Sequence, residues 1–143
     1  MPSSRASPRN PWPKEWSAQE LILAKQHARI EVYLDELLMA YKSKSFAWDV
    51  AKKSAYEGLC KRLLWNLKLH QRLEERWLTQ HGCLSPAHRD DHQIIFRTAF
   101  ISCCKTANDP EDRLTWLNNL REGLSRHMFV SDAYDYSIAN LKS

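Results

Sequence analysis

The residues of this chain best equipped for chemistry are six histidines, His27, His70, His81, His88, His92 and His127, together with a few carboxylates at telling distances from them. His70 and Glu74 stand four apart, as do His88 and His92, and neighbours at that spacing share one face of a helix. His127 and Asp132 stand five apart, about 140° around an ideal helix, so the pair flanks one inward point. His27 stands alone. Imidazole and carboxylate donors together suit iron, and a carboxylate can bridge two ions. Five imidazoles and two carboxylates buried without a partner would be costly, and a metal resolves that cost. Seven donors are too many for one ion and fit two. The candidate ligands are therefore His27, His70, Glu74, His88, His92, His127 and Asp132.

The elements that must position them read as helices. Residues 1–15, with Pro2, Pro8, Pro11 and Pro13, form an extended arm, and residues 16–143 form the folded domain. Ser17 and Glu20 make a capping box for a helix over about 18–42, with Leu23, Ile30, Leu34, Leu37 and Leu38 at helical spacing. The second helix covers at least 54–80. Ser45, or a capping box of Ser54 and Glu57, could start it, and Gly82 stops it. Ser85-Pro86 opens a third helix over 86–106, and Asp109-Pro110 a fourth over 110–136. Short breaks between them predict an all-α, antiparallel up-down-up-down four-helix bundle.

Helical rise gives an independent check on this arrangement. Counted up one helix and down the next, His27 returns to the level of His70, and His92 to that of His127. His88 lies near the same layer. The match is best if the second helix starts near 54, which leaves 44–53 as a loop or a short extra helix.

Composition narrows the function classes. The 143 residues carry 21 Lys and Arg against 17 Asp and Glu, a formal charge of +4. That is short of the dense basic patches of nucleic-acid binders. No apolar run is long enough to span a membrane, and the N-terminus lacks the apolar stretch of a signal peptide. A cytoplasmic protein with reduced thiols is expected, since Cys60, Cys83, Cys103 and Cys104 form no C-x-x-C pair. Monomer and homo-oligomer stay open.

Taken in order, these residues resemble the hemerythrin family. Its pattern, a histidine, then H-x-x-x-E-E, a glycine, H-x-x-x-H and a last histidine followed by an aspartate, appears here as Gln26-His27, His70 to Glu75, Gly82, His88 to His92 and His127 to Asp132. The resemblance spans about residues 18–136. It implies a cation-binding domain like that of bacteriohemerythrins, holding two non-haem iron ions with an oxo or hydroxo bridge. His88, His92 and His127 would hold one ion, and His27 and His70 the other. Glu74 and Asp132 would bridge them. It implies reversible O2 binding at the two-histidine iron, for oxygen transport, storage or sensing, and no enzymatic turnover. The alternative is a diiron enzyme, or an iron protein responding to redox state, nitric oxide or peroxide. A bundle that binds zinc, or no metal, is a third reading. The family's aromatic residue four positions before the last histidine is Gly123 here, which implies a wider pocket.

Other residues read as scaffold. His81 belongs to the turn beside Gly82. Glu75 is a supporting or solvated group, and Asp90 and Asp91 are solvated. Trp48, Trp65, Trp77 and Trp116 pack in the core or under loops, while Trp12 and Trp16 pin the arm. Cys103 and Cys104 read as small buried hydrophobes.

Overall fold

Four helices carry nearly all of the described residues in this computed structural model, which describes residues 17–43 and 49–127. They are α1 (Ser17–Lys42), α2 (Val50–Gln80), α3 (Pro86–Lys105) and α4 (Pro110–His127). Each packs against its two neighbours around a ring, α1 on α2 and α4, α3 on α2 and α4. The chain is thus the expected up-down bundle. No described helix is long and apolar enough to cross a membrane. The 1–15 arm, the side chains of Ser17 and Glu20, Ser45, Trp12, Trp16, Trp48, Asp132 and the expected helix beyond residue 127 lie outside the described residues.

Local chemistry sets the boundaries. The Ser85 hydroxyl accepts from His88 N–H at 3.1 Å, with Pro86 at the first helical position. Asp109 caps α4 by accepting from the N–H groups of Glu111 and Asp112 at 3.0 and 3.2 Å. Gly82 ends α2 with a φ of 67°, the left-handed region that glycine enters without strain. One boundary differs from expectation. α2 begins at Val50 rather than near 54, because the Asp49 carboxylate accepts from Lys52 N–H at 2.8 Å and caps the helix there. Ser54 and Glu57 lie inside the helix.

The core comes in two apolar blocks. The larger joins Ile30, Leu34, Leu37 and Leu38 of α1 to Leu63, Leu64 and Leu67 of α2, and to residues of α3 and α4. The smaller consists of Leu23, Leu78 and Cys83. Along α1 the break between blocks falls at Gln26 and His27, and along α2 at His70, Gln71 and Glu74. A polar layer therefore crosses the bundle. Two expectations about packing fail. Trp65 is 63% exposed, on the outer face of α2, whereas Trp116 is buried. Cys104 is exposed, while Cys60, Cys83 and Cys103 are buried free thiols.

The larger block contains one cation. Arg113 is 1% exposed. Its Nη1 donates to Glu57 Oε1 at 2.9 Å and to Cys60 Sγ at 3.0 Å. Its Nη2 donates to the Cys103 carbonyl at 2.8 Å and its Nε to Thr106 Oγ1 at 2.9 Å. The guanidinium also stacks near Trp116 and Tyr41, at 5.3 and 5.9 Å from the ring centres. All three nitrogens are used, which is what permits a buried charge. In this setting burial pushes the Tyr41 phenol up to about 12, with the neighbouring Cys60 adding to the effect.

Two stability outcomes follow. Arg113→Ala strands the Cys103 carbonyl and opens a cavity, and should cost about 2–4 kcal/mol in urea unfolding. Gly123→Ala places a methyl group where nothing lies within 4 Å. It should stabilise α4 by about 1 kcal/mol and raise the thermal midpoint by a few degrees.

Candidate functional site

The polar layer gathers Glu74 from α2, His88 and His92 from α3 and His127 from α4, all buried. One donor atom from each lies within 4.8 Å of all the others. Helical periodicity explains the local placement. His70, Gln71 and Glu74 follow Leu63, Leu64 and Leu67 along the inward stripe of α2, and His88 and His92 occupy the inward stripe of α3 ahead of Ala99. Gln71 Nε2 donates to the His92 carbonyl at 3.1 Å, which ties α2 to α3 at this level.

The geometry centres on the Glu74 carboxylate. Its Oε1 lies 2.9 Å from His88 Nε2, 3.0 Å from His92 Nε2 and 3.8 Å from His127 Nε2. Its Oε2 faces the other way, 3.9 Å from His70 Nε2. The three rings of the main group pack with centres 4.6–4.7 Å apart. His27 stands behind His70, with ring centres 5.9 Å apart, and its Nε2 is 3.4 Å from Glu31 Oε2. His27 and His70 thus lie on the far side of Glu74, outside the four-residue group. Asp132, the seventh candidate, lies outside the described residues.

Hydrogen bonds at the opposite ring nitrogens decide which atoms are free to bind. His92 Nδ1 donates to Glu75 Oε2 at 2.7 Å, and His127 Nδ1 donates to Asp91 Oδ2. His70 Nδ1 donates to Gln26 Oε1 at 3.3 Å. Each acceptor fixes the proton on Nδ1 and, in the neutral ring, leaves Nε2 as a bare lone pair. Those lone pairs point into the layer. His92 Nε2 and His127 Nε2 are 3.0 Å apart, and both face a carboxylate oxygen. Acceptors this close repel one another unless a proton or a metal cation sits among them. The donor set of three imidazoles and one carboxylate therefore fits a transition-metal ion such as iron or zinc. Burial acts to raise the Glu74 carboxyl, but hydrogen bonds from His127, His88 and His92 outweigh it and hold it well below the usual carboxylate range.

Three supporting residues have a different place from the one their sequence context suggests. Asp91 is not simply solvated: it crosses from α3 to His127 on α4. Its position directly before a ligand candidate carries no spacing signal, because the contact is tertiary. Gln26 is equally silent in the sequence. Glu31 stands four residues beyond His27, the same spacing that Glu74 has from His70, and its Oε2 lies 3.4 Å from His27 Nε2. Glu75 does support the layer, through His92. His81 lies away from it, its Nδ1 2.9 Å from the Trp77 carbonyl at the end of α2.

Compared with protein-family models, curated proteins and solved structures, the chain matches none. The case for this site rests on its own geometry. Glu74→Ala should abolish tight metal uptake, measured as metal retained after dialysis. Asp91→Ala and Glu75→Ala should each weaken it about 10–100-fold, whereas His81→Ala should change neither metal content nor spectrum.

Proposed function

We propose that this chain binds dioxygen reversibly at a non-haem two-iron centre. The observation that carries the reading is the division of Glu74: one carboxylate oxygen faces His88, His92 and His127, and the other faces His70 with His27 behind it. A carboxylate shared in this way between two sets of imidazoles suits a bridge between two ions. In this reading His88, His92 and His127 hold one ion and His27 and His70 the other. Asp132, five residues after His127 in the sequence, would be a second bridging carboxylate. Iron bound there supplies reversible uptake of dioxygen.

The chain's own residues have defined tasks. Glu75, Asp91 and Gln26 hold His92, His127 and His70 in the tautomer that presents Nε2. Leu23 and Leu78 on one side of the layer, and Ile30 and Leu67 on the other, exclude bulk water. The three-to-two split of histidines leaves the His27 and His70 side poorer in protein donors, so a small ligand would complete the coordination there. On that side the half-exposed Glu31 has its Oε2 3.4 Å from His27 Nε2.

The test is iron content with an optical spectrum, taken anaerobically after reduction and again after air is admitted. Two irons per chain with a charge-transfer band that appears in air and disappears under argon is the expected result. Two irons that oxidise at once, with no lasting oxygenated form, would replace this reading by that of a redox enzyme or a peroxide- or nitric-oxide-responsive protein. Zinc, or no metal, would overturn it.

A further inference from the structure

Beside the ligand layer, α3 and α4 leave a cleft of about 620 Å³, within the usual range for small-molecule pockets. It starts at Asp91 and His127 and runs along both helices to Thr106 and Asp112. At the rise of an α-helix, residues 91 to 106 make it about 22 Å long. Its floor is apolar, formed by Ile95, Ala99, Trp116 and Leu120. At Gly123, one turn before His127, the α4 wall carries no side chain, and an added Cβ would meet nothing within 4 Å. A larger residue there would stand in the cleft.

The two ends differ in charge. Arg126 lines the cleft at the His127 end, and Asp112 lines the opposite end. Asp91, the acid near Arg126, is engaged by His127 Nδ1. The Arg126 end holds the cleft's cation beside an acid turned to His127, whereas the Asp112 end holds an acid alone, so an anionic head fits the Arg126 end better than the Asp112 end. Length, an apolar floor and one cation at one end together describe an elongated amphiphile with one acidic group.

We propose that this cleft binds one unbranched carboxylate amphiphile, its head at Arg126 beside His127 and its tail along Ile95, Ala99, Trp116 and Leu120. The cleft's own residues carry the inference, which does not depend on the two-iron reading.

The test is calorimetric titration of the full chain with decanoate, in metal-free and iron-treated protein, with iron content measured in parallel. Saturable binding of one decanoate per chain is expected. Gly123→Leu should weaken it by at least about tenfold with the circular dichroism unchanged, since leucine favours helix more than glycine. Arg126→Ala should weaken decanoate about tenfold and leave decanol unaffected. Absence of saturation, or equal affinity in folded Gly123→Leu, would overturn the proposal. So would self-association that decanoate reverses, which would assign the cleft to a second copy, or binding that requires removal of residues 128–143. A chain that takes up no iron yet binds decanoate with this pattern supports the cleft and removes the two-iron reading. One that takes up iron and binds no decanoate does the reverse.

Discussion

A carboxylate that is 1% exposed inside a helical bundle must be compensated, and the layout of this protein follows from how Glu74 is compensated. Three helices contribute to the answer. α2 brings Glu74 itself, α3 brings His88 and His92, and α4 brings His127. Glu74 Oε1 lies 2.9 and 3.0 Å from the two α3 imidazoles and 3.8 Å from that of α4. The layer thereby fixes the axial register of α2, α3 and α4, which apolar packing alone leaves loosely specified. Gln71 adds a direct tie from α2 to the α3 backbone. A cation or shared protons in the layer are a condition of this packing as much as a functional device.

Arg113 solves the opposite problem at the other end of the bundle. It is a cation compensated by Glu57, the Cys103 carbonyl and the Thr106 hydroxyl, all supplied by the chain. No outside ion is needed there. The contact between Cys103 and Cys60 pulls the Cys103 thiol down and pushes that of Cys60 up, while Arg113 acts to lower both. Fourteen helical residues separate Arg113 from His127, about 21 Å. The two polar clusters are therefore well separated, and one end of the bundle is held without the histidine layer.

Much of this was legible in the sequence because it is written in local rules. Ser85-Pro86, Asp109-Pro110 and Gly82 mark boundaries through caps and turn chemistry that involve only near neighbours. The inward faces of α1 and α2 follow from spacing, and so do His88, His92 and Glu74. The expected span of at least 54–80 holds, and α2 reaches back to Val50 because Asp49 caps it where the sequence offers Ser45 and Ser54 as starts. Trp65 and Cys104 were misread because residue type was allowed to outweigh helical phase: both sit on outward stripes. Asp91 and Gln26 could not be read at all. Their roles depend on which helix lies opposite, and a pattern within one helix does not carry that information.

The unequal apolar blocks on either side of the polar layer bear on lability. Among the described residues, Leu23, Leu78 and Cys83 form the buried core on one side, while the other block is several times larger and includes the Arg113 network. Opening free energies rise with the buried surface that must be exposed, so, counted over the described residues, the end bearing the Gly82 turn has the smaller core to open. Glu74 lies one helical turn from Leu78, directly beneath that end. A route from the layer to solvent past the α2–α3 turn crosses the smaller block and leaves the larger one intact. Residence time in the layer and stability of the fold become separately adjustable, the first by substitutions around Leu78 and Cys83 and the second by those around Arg113.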